Sequence, residues 1–443
     1  MNSWQSLFFY LACFALSALF VYLGSRTKTP QYSIRFFTRK LTFNVWATAG
    51  VLIPIVIGSL RYGMGIDYAS YLEIYQFYAD GGGVDWRVDY LQTIEPIFQW
   101  LAMLSYNLTN TPILFFGIPW ATTILFVYFG IKRWTPRISR KFFAWAWFLI
   151  LPIVAATGFN QTRQMLAVAI LFFASHYIIK LSLKNILLYT SLAIVAVLCH
   201  RSAALIALVL LIIRMGTRNN GGKVSMPYLM VRILIISTLL ASLIIVGIIL
   251  SGTTAPYVGG FSRLLFINGS ISGNIFGVAD IRPENVILLC IFLPAVFLAR
   301  FRNSSVNYVE SRILSVFCFI GLLLVLGSLF VMNGERLAQY FVVFPIVVYY
   351  IAASSHINTR LKTYPIGMFF VIMLLGWQGV LPYYSIFDRD VDINAINSLS
   401  VRPLYNQTLC SVKAISCNDQ IYFDEVVRER HEYKEGDLWK LER

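Results

Sequence analysis

The sequence predicts an all-α fold: a polytopic helical membrane protein of about twelve transmembrane helices, with outer-face loops and a polar C-terminal tail. Three observations predict it. Of 443 residues, 58% are hydrophobic and 13% charged, about half the charged share of a soluble globular domain. Apolar runs of roughly 18 to 22 residues, each able to cross about 30 Å of hydrocarbon, recur along nearly the whole chain. Basic residues sort to one side of those runs. A barrel is excluded, because its strands would show short alternating patterns rather than unbroken apolar stretches.

The predicted spans are 4–24, 42–60, 111–131, 141–158, 162–179, 185–199, 202–213, 231–250, 285–299, 312–332, 337–355 and 364–382. The pair 185–199 and 202–213 is short and split by His200 and Arg201, so a re-entrant pair stays open. The stretch 94–108 is apolar but too short to span and reads as a helix at the outer interface. The division is then a transmembrane domain over 1–383, with outer loops at 61–110 and 251–284, and a polar tail at 384–443.

Orientation follows from Lys and Arg. The loop after the first span carries Arg26, Lys28, Arg35, Arg39 and Lys40, and the opening Met-Asn-Ser-Trp carries none, so the N-terminus is outside. Alternating from there, the inward loops hold 21 of the 36 basic residues and a single acid, Glu310. The outer segments hold 20 of the 21 acids. The net charge of +15 is thus a positive-inside signature. A nucleic-acid surface would cluster basic residues with aromatics on one folded domain, and no nucleic-acid partner is expected. The first span lacks a basic n-region and does not read as a cleaved signal peptide. Cys13, Cys199, Cys290 and Cys318 fall in or beside apolar spans, while Cys410 and Cys417 lie in the tail, where an oxidising compartment would permit a small disulfide loop.

Chemistry has to come from span ends and outer loops. The first long loop opens Arg61-Tyr-Gly-Met-Gly-Ile-Asp67, followed by Tyr68, Tyr71 and Tyr75 at helical spacing. One reading is an aromatic belt at the interface. The other puts Arg61 and Asp67 in a polar pocket with tyrosines stacking on sugar rings. Further along, Arg163, Arg201 and Arg336 each stand where an inward-running helix begins. A helix N-terminus offers free N–H groups and partial positive charge, to which an arginine adds a forked donor. If convergent, the three would suit a diphosphate; singly, each reads as an anchor snorkelling to headgroups, with Glu335 neutralising Arg336. His200, beside Arg201, is a candidate general base or helix cap, and Glu95, before Pro96, a candidate acid. No Walker loop, HExxH or zinc-spaced CxxC pair is present, and Asp388-Arg-Asp390-Val-Asp392 reads as a solvated turn. No metal and no cofactor are expected.

These blocks resemble a family. Arg61-x-Gly-x-Gly-x-Asp67-Tyr-x-x-Tyr71, Glu95 before an apolar stretch, Arg163-Gln-x-x-Ala167, His200-x-Ser202-Ala-x-Ile206 and Arg336-Leu-x-x-Tyr340-Phe341 are similar to the EpsG-type, Wzy-like polysaccharide polymerases, in order over about two thirds of the chain. The tail carries none of them. The resemblance implies a metal-independent glycosyltransferase of the bacterial inner membrane, with its active site at the periplasmic face. It would join oligosaccharide repeat units carried on undecaprenyl diphosphate, as in O-antigen, capsule or exopolysaccharide synthesis, with a chain-length regulator as a further partner. Set on that chemistry, Arg163, Arg201 and Arg336 would bind the diphosphate, with Arg61 and Arg263 as additional contacts. Asp67 is the first choice of base and His200 the second, with Glu95 and Glu335 behind them. Tyr68, Tyr71 and Tyr340 would line the sugar path. An O-antigen ligase-like transferase, differing only in acceptor, another lipid-linked-sugar glycosyltransferase, disfavoured because loop 61–95 has no Asp-x-Asp, and a polysaccharide flippase or exporter remain the alternatives. A transporter would carry charges at mid-membrane, whereas here they cluster at span ends.

Overall fold

The computed structural model describes residues 3–25, 31–36, 39–60, 71, 74, 75, 77, 78, 94–134, 140–179, 182–216, 283–298, 308–328 and 334–354. Predicted spans 231–250 and 364–382, the second outer loop and the tail with its cysteines lie outside these residues. Every other predicted span falls on helix. The helices are α1 (Ser3–Gly24), α2 (Val45–Ser59), α3 (Pro96–Thr109), α4 (Ile113–Trp134), α5 (Arg140–Asn160), α6 (Thr162–Ser175), α7 (Leu183–Cys199), α8 (Ala203–Gly216), α9 (Pro283–Leu298), α10 (Tyr308–Ser328), α11 (Gly334–Ala338) and α12 (Val343–Ser354). Three helical stretches among the described residues are long and apolar enough to cross a membrane unaided, Ile113–Trp134, Thr162–Ile179 and Glu310–Gly327. Large apolar side chains face outward along others, including Leu16, Leu52, Val56, Leu187, Ile194 and Leu208, as hydrocarbon rather than water as solvent requires. The protein is an all-α membrane protein.

Two departures from the expected elements have clear causes. The loop after α1 is a hairpin, with β1 (Gln31–Phe36) antiparallel to β2 (Arg39–Asn44) and Ile34 opposite Leu41. Its sequence, Tyr-Ser-Ile-Arg-Phe and then Leu-Thr-Phe, alternates apolar and polar at the period of a strand. The expected span 337–355 is broken into α11, a 3-10 turn (Gln339–Phe341) and α12. Pro345 has no N–H to give the carbonyl of Phe341, and its ring crowds that carbonyl. The α-helix therefore restarts with Pro345 inside its first turn, where a missing donor costs nothing.

The residues form two compact units. The first comprises described residues of Met1–Tyr128 and Arg140–Leu166. Asn44 joins α1 to α2: its side chain accepts from the Ala47 N–H at 3.1 Å, capping α2, and donates to the Gly24 carbonyl at 2.8 Å. Pro54, within α2, frees the carbonyl of Gly50 four residues earlier. In a bilayer an unsatisfied carbonyl would cost several kcal/mol. Ser17 of α1 donates to it at 2.5 Å, and the buried indole of Trp147 in α5 donates to Ser17 Oγ at 2.9 Å. One proline thus ties three helices together. Trp120 of α4 donates to the Pro54 carbonyl at 2.7 Å, with the Nε1 side of its indole against Gly58, where a Cβ would overlap it. Helix α3 buries Phe98, Leu101, Ala102 and Ser105 and exposes Trp100, Met103, Tyr106 and Leu108. That two-faced pattern is what an interfacial helix needs. It stops at Asn110, which is left-handed at φ 53°, and Ser105 Oγ donates to Thr111 O at 2.6 Å and accepts from the Phe115 N–H at 3.0 Å to turn the chain into α4.

The second unit comprises described residues of Phe129–Ser139 and Ala167–Phe370. Its core is aromatic, with Trp134, Phe172, Phe317, Phe341 and Phe344 buried against one another in edge-to-face and tilted contacts. Phe292 of α9 lies against Gly321 of α10, close enough that a Cβ there would overlap its ring. Tyr349 of α12 donates to the Ile291 carbonyl at 2.8 Å, and Tyr189 of α7 to the Ala207 carbonyl of α8 at 2.6 Å. Arg214, near the end of α8, is buried and spends its guanidinium on the carbonyls of Ile178 and Ile179 at 2.8–3.1 Å. It satisfies groups that the short 3-10 turn Tyr177–Ile179 leaves exposed. Nearby Arg133 lies over the rings of Phe173 and Tyr177 at 4.2 and 4.3 Å.

Candidate functional site

In the first unit, α5 ends at Asn160 and α6 begins at Thr162, with only Gln161 between them. Thr162 Oγ1 bonds back to the Gly158 carbonyl at 3.0 Å, and the Met165 N–H returns to Gln161 O at 2.8 Å. This tight corner places Arg163 in the first turn of α6, as its spacing predicts. The backbone N–H of Arg163, one of the donors a helix start leaves without an intrahelical acceptor, is given to Tyr71 Oη at 3.3 Å. Its guanidinium meets Glu95, with Nη1 to Oε2 at 2.6 Å, and Cζ lies 5.7 Å from the centre of the Tyr71 ring. Glu95 is the N-cap of α3, yet its carboxylate makes no capping bond. The carboxylate goes to Arg163 instead, and the cap is served by the backbone, with Phe98 N–H and Gln99 N–H reaching Glu95 O at 2.9 and 3.3 Å. Gln99 Nε2 holds the Ile94 carbonyl at 2.7 Å, steadying the same turn. Glu95 is 6% exposed, while the Arg163 side chain keeps 20% of its surface. The carboxylate is the more buried of the two partners, and the Arg163 side chain keeps the larger exposure.

Tyr71 is buried, its ring against Phe98 and Phe116, and Tyr75 packs on Phe115. With the ring packed, the Tyr71 hydroxyl is the part of the side chain that meets Arg163. Asp67, Tyr68 and Arg61, from the same loop, and Arg263 lie outside the described residues.

In the second unit, the turn His200-Arg201-Ser202 joins α7 to α8. His200 caps α7 through its N–H to the Ala196 carbonyl at 2.9 Å, and its own carbonyl receives the Ala203 N–H at 3.0 Å. Arg201 is exposed in the turn ahead of α8, two residues before the helix rather than within its first turn. Ser202 and Tyr340 are buried and form a closed set with the histidine: Nδ1 to Ser202 Oγ is 2.6 Å, Ser202 Oγ to Tyr340 Oη 2.8 Å, and Tyr340 Oη to Nδ1 3.2 Å. Tyr340 comes from the 3-10 turn that Pro345 forces. Arg336 is half-buried in the last turn of five-residue α11, not at the start of a long helix as its spacing predicts. The Pro345 break explains this difference too. Glu335 belongs to α11 as well, its side chain outside the described set. Among the described residues, no three His, Cys, Asp or Glu side chains gather in a way that would hold a metal ion.

Two relations escape sequence reasoning. Glu95 and Arg163 are 68 positions apart, and only folding pairs them. Ser202 stands in a motif with His200 without an assigned task, although the His-x-Ser spacing is the one local signal that a hydroxyl can fold back onto the ring.

Fold and polar clusters together define an integral membrane protein with charged and hydroxylic groups held at the ends of its helices. The chain belongs to the EpsG family, whose family model matches residues 44–385. That membership supports a polysaccharide-polymerase-like, glycosyltransferase-type activity on lipid-linked sugar in a multi-pass membrane protein. Neither a curated protein nor a solved structure matches it.

Proposed function

We propose that the protein joins oligosaccharide repeat units carried on undecaprenyl diphosphate, at the periplasmic face of the bacterial inner membrane, by moving the growing chain from its lipid diphosphate to a hydroxyl of the next unit. The observation that carries this reading is Arg163, clamped by a buried carboxylate and a tyrosine at a helix start. The leaving diphosphate develops charge as the glycosidic bond breaks, and preorganised donors stabilise that charge best. Glu95 takes one of the five guanidinium N–H groups and fixes the plane of the rest. Arg201 and Arg336, with Arg61 and Arg263, supply further positive donors, so the transfer proceeds without a metal ion. Asp67 accepts the proton of the acceptor hydroxyl, and Tyr68 lines the sugar path. A chain-length regulator is a natural partner.

The test is purified protein in nanodiscs with undecaprenyl-diphosphate repeat units and EDTA, products resolved by size. A ladder rising in whole repeat units is the expected result. Transfer only to an added lipid A core would make the protein a ligase, and silence with intact substrate and folded protein would sink the transferase reading. In cells, Arg336→Ala is expected to abolish polymer while the protein inserts and accumulates normally. Full-length polymer at normal expression would remove Arg336 from the diphosphate role.

A further inference from the structure

Helix α4 has 22 residues and is apolar enough to cross a membrane; its length of about 33 Å carries the last turn to a membrane boundary. That turn holds Lys132 and Arg133. Arg133 Cζ lies 4.2 and 4.3 Å from the centres of the Phe173 and Tyr177 rings, which meet each other edge to face at 5.9 Å. The helix macrodipole accounts for a cation at this end of α4, but not for two rings that hold it in place. Among the described residues Arg133 forms no hydrogen bond or ion pair, and the Tyr177 hydroxyl forms no hydrogen bond. Their neighbours behave otherwise. Arg214 spends its guanidinium on the Ile178 and Ile179 carbonyls, which also steadies the turn carrying Tyr177, and Tyr189 and Tyr349 give their hydroxyls to carbonyls. Arg133 and Tyr177 are half-buried, and their donor atoms are not among the buried ones that lack a partner. These donors are therefore open to the surroundings of the helix. Phe129, one turn earlier on the same face of α4, is exposed.

We propose that Arg133 and Tyr177 hold the phosphate of an anionic glycerophospholipid at this end of α4, with an acyl chain lying against Phe129. A phosphodiester presents two non-bridging oxygens, which match the guanidinium fork and can accept a further bond from the tyrosine hydroxyl. The rings hold the guanidinium by cation–π attraction and leave its N–H groups for the ligand. Exposed Lys132 adds a second positive charge beside the first. That charge favours a headgroup of net negative charge over a zwitterionic one with its own ammonium. Phe173 lies in the last turn of α6 and Arg163 in its first, so this site is separate from the diphosphate site proposed above and does not depend on the polymerase reading.

Full-length protein is purified in detergent, stripped of lipid and titrated with phosphatidylglycerol, bound lipid being counted by native mass spectrometry. Wild type is expected to retain one phosphatidylglycerol at concentrations where phosphatidylethanolamine is not retained. Arg133→Gln is expected to weaken binding about tenfold, the scale of hydrogen bonds to a charged group, and Tyr177→Phe, which keeps the ring, about threefold. Lys184→Gln removes an exposed charge in the first turn of α7 and is expected to bind within about twofold of wild type. Wild-type binding by Arg133→Gln would overturn the proposal. An equal loss in Lys184→Gln would also overturn it, by showing that bulk charge suffices. Should Arg133→Gln fail to accumulate, Tyr177→Phe decides alone, and undiminished binding there sinks the site. Competition separates the sources of phosphate. Displacement by glycerol phosphate at equal concentration would make this a site for soluble phosphate, and displacement by undecaprenyl diphosphate a second site for substrate; either result removes the lipid assignment.

Discussion

Arg163→Ala is expected to abolish polymer formation and also to lower stability, by about 3 kcal/mol, because removing one member of a buried pair strands the other. Here the stranded partner is Glu95, 6% exposed, its carboxylate turned away from its own helix toward the guanidinium. The value belongs at the lower end of the range for buried pairs, since the Arg163 side chain retains 20% of its surface. Stability and activity should separate in the double variant. Glu95→Ala with Arg163→Ala removes both charges and is expected to recover most of the lost thermal stability, with no recovery of polymer. Glu95→Gln alone keeps a neutral acceptor for Nη1 and should leave partial activity, as befits a residue acting through the arginine. Arg163→Lys is expected to fail nearly as badly as alanine, since an ammonium cannot reproduce the fork that serves carboxylate and phosphate together. Differential scanning fluorimetry in detergent beside the size-resolved polymer assay reads both quantities. A double variant as unstable as Arg163→Ala would show that the pair is not the source of the loss.

The second large effect is steric and lies away from the chemistry. Gly58→Val should cost at least about 2–3 kcal/mol, the upper range for overpacking, because its Cβ would occupy space filled by the Trp120 indole. The indole has little room to yield: Nε1 is tied to the Pro54 carbonyl at 2.7 Å, and the ring packs on Phe159 at 4.6 Å between centroids. The variant is expected to accumulate poorly. Combining it with Trp120→Phe, a smaller ring without the indole nitrogen, should restore part of the yield and of the melting temperature. Unchanged accumulation of Gly58→Val would mean that α2 and α4 tolerate separation at this point.

Much of the molecule was readable beforehand because a bilayer leaves few options. A backbone in hydrocarbon must satisfy its own N–H and C=O groups, so long apolar runs had to be helices. The tight corner at Arg163 and the turn at His200 were legible as polar interruptions between apolar runs. The hairpin at Gln31–Asn44 was readable in principle from its alternation, but it sits between two spans where a loop was the simpler expectation. The break at Gln339–Phe341 was readable from Pro345 and moves Arg336 out of a helix N-terminus.

What the residues could not disclose is pairing across distance. The sequence by itself determined the membrane class, the helices and the family motifs, since composition, periodicity and local spacing carry those directly. Only the tertiary structure decided that the Glu95 carboxylate pairs with Arg163 rather than capping its own helix, that the Tyr71 hydroxyl accepts from the Arg163 N–H, and that Ser202 and Tyr340 close on His200. The physical reason is that a buried polar group must find a partner, and its choice depends on which side chains packing brings within about 3 Å, however far apart they lie along the chain.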